Sequence, residues 1–278
     1  PAASKTDLPK MMVLVVGETA RAESFSLNGY SKNTNPELSK QAELLNFSKV
    51  SSCGTATAVS VPCMFSGMSR KQYDEGLASH REGLLDIVQR AGYQVTWIDN
   101  NSGCKGTCTR IKNYISPKDD PRYQKWCDHG ECRDGILIDA LTDYLKTLDM
   151  KNLKQNQLIV LHQMGSHGPA YYKRYPAEFK KFTPICETNN IQNCDHQALI
   201  NTYDNTIVYT DHVLASTIDL LKQQPVASSM LYLSDHGEST GESGLYLHGT
   251  PYMVAPKEQT HIPMLLWFSQ NWSERHHI

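Results

Sequence analysis

No stretch of this 278-residue chain stays apolar over the roughly 20 residues that a bilayer-spanning helix needs. Its first residues, Pro1-Ala2-Ala3-Ser4, lack the zones of a signal peptide. No dense run of Lys or Arg occurs and the net charge is −2, so the electrostatic footprint of a nucleic-acid partner is missing. No CxxC pair occurs either, which argues against a zinc ribbon. There is no internal repeat, no low-complexity segment and no linker that marks a boundary, so residues 1–278 read as one domain. Its length allows a sizeable core. A chain that opens on Pro rather than Met is expected to be a piece of a longer protein.

The cysteines, eight in number, point to a compartment. They fall at 53, 63, 104, 108, 127, 132, 186 and 194, which is four neighbouring pairs. Short loops between neighbours are the simplest connectivity, so four local disulfides are expected, and with them an oxidising compartment such as a periplasm or the cell exterior. Each bridge would hold a loop in shape rather than staple distant elements.

Apolar periodicity supplies the framework. Met11–Val16 is a continuous apolar run ending at Gly17, as for a buried central strand. Val95–Ile98, Leu158–Leu161, Met230–Leu233 and Ile262–Phe268 read as further strands. A helix is expected over residues 82–92, with Leu84, Leu85, Ile87, Val88 and Ala91 on one side and Gly92 as its stop. Residues 133–148 and 198–222 form amphipathic patterns, and residues 102–132 read as a stapled loop region. Strands alternating with helices predict a mainly parallel sheet covered on both faces, an α/β fold.

Chemistry gathers at the strand exits. Glu18, Asn101, His162 with His167, and Asp235 with His236 each follow an apolar strand, and that edge of an open α/β sheet is where ligands bind. A further segment, Cys53-Gly54-Thr55-Ala56-Thr57-Ala58-Val59-Ser60-Val61-Pro62-Cys63, places small residues around Thr57. Gly54 would allow a sharp turn pointing a helix start at an anion, and the Val59/Val61 pair would bed the far end in the core. Thr57 then reads as a nucleophile at a helix start. A threonine hydroxyl needs activation to attack phosphorus. Glu18, Asp235 and His236 offer donors that zinc accepts in catalytic sites, Thr57 can complete the set, and zinc would stabilise its alkoxide. His167 and His248 could bind a second zinc or the phosphate oxygens of a substrate. His80, His129, His196, His261, His276 and His277 have no companions that suggest ligation and are expected in solvent, whereas His212 lies in a helix and is expected to pack or cap.

The ordered motifs resemble one family. Val16-Gly17-Glu18-Thr19-Ala20-Arg21, Ser26-Leu27-Asn28-Gly29-Tyr30, Ser52 to Thr57, Pro62-Cys63-Met64-Phe65-Ser66 and Gly165-Ser166-His167-Gly168-Pro169 are similar to segments of the phosphoethanolamine–lipid A transferases, mobile colistin-resistance enzymes included. Arg174-Tyr175-Pro176, Tyr203-Asp204-Asn205, Tyr209-Thr210-Asp211 and Ser234 to Glu238 through His248-Gly249 continue the resemblance over nearly the whole chain. It implies an α/β/α sandwich of alkaline-phosphatase and sulfatase type, and a periplasmic catalytic domain at the inner membrane whose N-terminal transmembrane domain is absent. It implies Thr57 as acceptor of phosphoethanolamine, zinc on Glu18, Thr57, Asp235 and His236, and second-metal or substrate positions at His167 and His248. It also implies substrate-side positions at His162, Asn101 and Lys105. Phosphatidylethanolamine would be the donor and lipid A the acceptor, in a two-step transfer that confers polymyxin and colistin resistance.

Two rivals remain. A hydrolase of the same superfold shares nucleophile and metal and would use water as acceptor. Its sulfatase version needs an Arg two residues after Pro62, where this chain has Met64. A zinc-stabilised periplasmic binding module would fill all four metal positions with Cys or His, whereas these donors are mostly oxygen.

Overall fold

The run Met11–Val16 has no polar face, and in the computed structural model, which describes residues 8–276, it forms the strand β1 (Lys10–Gly17). Pro1-Ala2-Ala3-Ser4 and His277 lie outside the described residues. Along the chain follow β2 (Leu44–Ser51), α1 (Thr57–Phe65), α2 (Glu75–Ser79), α3 (Leu84–Arg90), β3 (Gln94–Asp99), β4 (Asn113–Ile115), and the small hairpin β5 (Cys127–Asp128) and β6 (Glu131–Cys132). Then come α4 (Gly135–Thr147), β7 (Gln157–His162), α5 (His196–Lys222), β8 (Ala227–Ser234), and a second hairpin, β9 (Ser239–Thr240) and β10 (Tyr246–Leu247). α6 (Lys257–Thr260), β11 (His261–Phe268) and α7 (Gln270–His276) close the described chain.

Seven strands make the main sheet in the order β2-β11-β8-β1-β7-β3-β4. β8, β1, β7, β3 and β4 run parallel, and β11 is antiparallel to both its neighbours. Alternation within the strands sorts side chains between two layers. Met11, Val13, Val15, Ile159 and Leu161 pack with Ile136, Leu141, Tyr203 and Leu214 from α4 and α5. Leu14, Val16, Trp97, Leu158 and Val160 pack on the other face with Val61, Phe65 and Leu85 from α1 and α3. The result is the expected α/β/α sandwich.

All four neighbouring cysteine pairs are bridged: Cys53–Cys63, Cys104–Cys108, Cys127–Cys132 and Cys186–Cys194. Among the described residues no helix is long and apolar enough to cross a membrane.

Several expectations need correction. In α3, Leu84 and Ile87 are largely exposed while Leu85 is buried; a helix this short, lying on a sheet, buries one narrow stripe. Val59 is exposed and only Val61 reaches the core, because residues two apart lie on different faces of a helix. Gly54 is not in a left-handed conformation; a Cβ there would sit 3.0 Å from Val59 Cγ1 and 3.1 Å from Ser60 N, so it serves close approach rather than a turn. β2 carries no buried apolar run in the sequence because it is an edge strand exposed over most of its length. The region 102–132 contains β4, β5 and β6 as well as loops. His261 is half-buried, with Nδ1 3.2 Å from Glu23 and Nε2 2.7 Å from the Ser48 carbonyl.

The chain leaving β8 is held against α6 by two backbone bonds, Gly237 N to the Gln259 carbonyl at 2.9 Å and Glu238 N to the Glu258 carbonyl at 2.7 Å. A Cβ on Gly237 would overlap the Glu258 carbonyl oxygen. Replacing Gly237→Ala should therefore lower unfolding free energy by about 1–3 kcal/mol, read as a drop in the urea midpoint; an unchanged midpoint would show that this crossing is loose.

Candidate metal centre

Parallel neighbours end at the same edge, so the order β8-β1-β7-β3 brings four loops together. Glu18 follows β1, Asp235 and His236 follow β8, His162 ends β7 and Asn101 lies two residues past β3. Thr57 joins them from another direction as the first residue of α1, whose preceding residue, Ala56, has no side chain to cap the helix. The exposed first turn of a helix favours negative charge beside the Thr57 hydroxyl.

Glu18 is the hub. Its Oε2 accepts hydrogen bonds from Thr57 Oγ1 at 2.9 Å and from Asn101 Nδ2 at 2.8 Å. Its Oε1 accepts from Thr19 Oγ1 at 2.6 Å and lies 3.1 Å from His236 Nε2 and 3.8 Å from His167 Nδ1. One donor atom from each of Glu18, Asp235 and His236 lies within 4.8 Å of the others, and all three residues are buried. Gly165 makes this possible from below: its φ is +55° and a Cβ there would stand 2.5 Å from the Glu18 carbonyl oxygen. The Glu18 carbonyl accepts from Ser166 N at 3.0 Å.

The charges explain the cluster's appetite for a cation. Burial and the Glu18 charge push Asp235 up to about 6. Burial also acts to raise Glu18, but the neighbouring His167 and His236 imidazoles and the charge of His236 hold it well below the usual carboxylate range. Burial acts to lower His236, yet the Asp235 and Glu18 carboxylates carry it up to about 10. A protonated imidazole thus partly neutralises two buried carboxylates. His236 Nδ1 faces the Gly237 carbonyl at 2.7 Å, which directs Nε2 into the cluster. His236 Nε2 and Asp235 Oδ2 are buried and make no hydrogen bond. Two oxygen donors, one nitrogen donor and an adjacent hydroxyl fit a divalent metal such as zinc.

The other expected residues are placed unequally. His167 and His248 flank the open side, with side chains 43% and 21% exposed. The His248 ring lies 4.1 Å from that of His236 and 6.5 Å from that of His167. Asn101 touches Glu18 directly. His162 is fully buried beneath the rim, with Nδ1 2.9 Å from Asp99 Oδ1 and its ring edge-on to Trp97. Lys105 directs its ammonium to the Ser102 carbonyl and hydroxyl, at 3.1 and 2.7 Å. His212 pairs with Glu37 at 2.8 Å, as a packing histidine does.

Three supports were not anticipated. Glu238 accepts from His248 Nδ1 at 2.8 Å and from the Tyr171 hydroxyl. Ser60 Oγ donates to the Asp235 carbonyl. Thr19 sits at φ +60° beside Glu18. Glu238 and Thr19 lay within the recognised motifs, but nothing in the local sequence marks Tyr171.

Loading the centre with zinc should release about one proton per ion at pH 8, because His236 binds metal only when neutral. Calorimetry in buffers of different ionisation enthalpy reads this directly. Affinity should rise with pH up to about 10, and Asp235 adds to the slope below about 6. A release of zero at pH 8 would remove His236 from the ligand set.

A model of the sulfatase family matches residues 10–278. The chain is 52% identical, over 280 aligned positions, to the phosphoethanolamine transferase EptA of Salmonella typhimurium; the match covers 100% of this chain and 50% of that protein. Among solved structures it is similar to the soluble domain of lipooligosaccharide phosphoethanolamine transferase A from Neisseria meningitidis. There the TM-score is 0.92 and the identity 46%, covering 98% of this chain and 80% of that one. It is also similar to the C-terminal periplasmic domain of EcEptC from Escherichia coli in complex with Zn, with TM-score 0.78 and 25% identity over 97% of this chain and 76% of that one. The chain spans about half the length of the curated relatives it matches.

Proposed function

The chain belongs to the sulfatase family and, within it, to the phosphoethanolamine transferases, and from that premise we propose that it transfers phosphoethanolamine from phosphatidylethanolamine to a phosphate of lipid A through a covalent intermediate on Thr57. The observation that carries this reading is the contact of Thr57 Oγ1 with Glu18 at 2.9 Å, inside a buried cluster whose His236 and Asp235 keep unpartnered donor atoms. Glu18, Thr57, Asp235 and His236 are the ligands we assign to one zinc ion. When bound, zinc supplies Lewis acidity to the Thr57 oxygen and to the phosphoryl group.

In the first step the Thr57 oxygen gives up its proton and bonds to the donor's phosphorus. The bond from phosphorus to the glycerol oxygen breaks, and that oxygen takes up a proton to leave as diacylglycerol. In the second step a phosphate oxygen of lipid A gives up its proton and bonds to phosphorus, the bond from phosphorus to the Thr57 oxygen breaks, and that oxygen takes a proton back to restore the hydroxyl. His167 and His248, on the open side, are suited to stabilise phosphoryl oxygens or to pass the proton. Glu238 fixes the His248 ring through Nδ1. Asn101 orients Glu18 against the nucleophile; Lys105 is kept as a substrate-side residue, whereas His162, fully buried with Nδ1 on Asp99, supports the rim from beneath.

We place the domain at the periplasmic face of the inner membrane, carried by an N-terminal membrane part. Four bridged cysteine pairs suit that compartment. A cationic amine added to lipid A would lower the negative charge that polymyxins bind, hence colistin resistance.

Intact mass of the zinc-loaded chain incubated with phosphatidylethanolamine tests the reading. A phosphoethanolamine-sized adduct is expected on the wild type and none on Thr57→Ala, with transfer lost by about 10³-fold or more. Modified lipid A as product supports transfer, and free ethanolamine phosphate alone would make the chain a hydrolase. An adduct on both proteins overturns Thr57 as the carrier.

A further inference from the structure

Asn101 reaches Glu18 from an irregular loop, and one buried carboxylate holds that loop. Asp99 ends β3 and is 2% exposed. Its Oδ2 accepts from the backbone N–H groups of Asn101 and Gly103, both at 3.1 Å, a turn closed by the aspartate on the residues that follow it. Its Oδ1 accepts from Trp97 Nε1 at 3.0 Å and lies 2.9 Å from His162 Nδ1. One oxygen therefore grips the loop while the other is moored in the core. Trp97 packs there against Phe65 of α1 and against His162, with ring centres 5.8 and 5.4 Å apart.

The grip is passed on. With its N–H fixed, Asn101 turns its side-chain amide inward, and Nδ2 donates to Glu18 Oε2 and to the Gln163 carbonyl, each at 2.8 Å. Glu18 Oε2 is the oxygen that Thr57 Oγ1 contacts at 2.9 Å. The loop needs such a hold, because Gly103 and Lys105 both take left-handed backbone, at φ +85° and +51°, a conformation that is costly for a lysine. Burial acts to raise the Asp99 carboxyl, but the His162 imidazole and the Trp97 donor keep it below the usual carboxylate range. The loop N–H groups thus meet a charged acceptor, which makes the stronger kind of hydrogen bond.

We propose that Asp99 is a positioning residue for Glu18: through Asn101 it fixes the carboxylate oxygen that Thr57 faces, and His162 with Trp97 holds Asp99 in place. The inference rests on the reading of Glu18 as metal ligand and partner of the nucleophile, and deepens it. Two hydrogen bonds separate Asp99 from Glu18, so its effect passes through Asn101. His162, buried beneath the rim, gains a task at one further remove from the reacting oxygen.

Solvent exchange of the Asn101 side-chain amide protons reads the grip directly on the metal-free chain, their NMR signals being identified by loss in Asn101→Ala. Asp99→Asn has a single acceptor oxygen and cannot serve both sets of donors, so it should speed that exchange about tenfold or more. Calorimetry should show zinc bound about tenfold more weakly by Asp99→Asn and by Asn101→Ala alike. The double variant should be no weaker than Asn101→Ala, because the two residues act in series. Val95→Ala, on the same strand and buried in the core, should lower the urea midpoint and leave amide exchange and zinc affinity unchanged. In the kinetic arm, Asp99→Asn should slow adduct formation on Thr57 about tenfold at saturating phosphatidylethanolamine, with the half-saturating concentration unchanged. Unchanged amide exchange in Asp99→Asn, zinc losses that add in the double variant, or equal losses in Val95→Ala overturn the proposal. A wild type that shows the exchange pattern but binds no zinc, or binds zinc and forms no adduct, counts against the metal or the transferase reading and leaves Asp99 as the residue that places Asn101 on Glu18.

Discussion

Two carboxylates removed from water, Glu18 and Asp235, meet where β1 and β8 end, and the surrounding structure exists to make that tolerable. Isolated, such a pair would cost several kcal/mol per ion in desolvation. Here Glu18 is surrounded by Thr57, Asn101, Thr19, His236 and His167, and Asp235 Oδ1 accepts from the backbone of Thr19 and His236. What the donors leave over is negative charge, expressed as an imidazole raised to about 10. A divalent cation answers the same demand with more charge and leaves the imidazole neutral.

The support reaches well beyond the strand exits. Tyr203 of α5 donates to the Thr19 carbonyl at 2.6 Å and accepts from Arg21 N at 3.0 Å. The Arg21 guanidinium then bonds the Glu238 carbonyl, Thr240 and Glu242 at 3.1, 3.0 and 2.6 Å. This explains why α5 is buried on more than one side and yet carries Tyr203, Asp204, Asn205 and Asp211. Each of these polar groups holds a loop: Asp211 accepts from the backbone of Glu37 and Leu38, and Asn205 from Lys181 and Phe182. Rigid loops matter to a centre whose donor atoms must converge within a few ångströms.

Much of this was legible in the chain. The β-strands with continuous apolar runs, the long helices and the cysteine pairing all follow from local pattern, because burial on both faces of a parallel strand leaves no polar residue to blur it. Glu18, Asn101, His167, Asp235 and His236 were legible as strand-exit residues. Less was legible where exposure decides: β2 lies at a solvent edge, and Leu84, Ile87 and Val59 are apolar residues left outside. His261 carries no local sign that Glu23, 238 residues away in sequence, stands beside it.

Sequence alone therefore determined the α/β alternation, the stapled loops, and the kinds of side chain available at one edge of the sheet, since each depends on residues near one another along the chain. Only the tertiary structure decided which of those side chains share an ion's reach. Strand order brings Glu18 to Asp235 across 217 positions, and the entry of α1 sets Thr57 against Glu18. His162, at an equally good exit, is turned inward onto Asp99 because Trp97 and the α1 face of the core claim that side of β7. Tyr171 earned its place beside Glu238 in the same way. Convergence in space is a property of packing, and no periodicity in the chain encodes it.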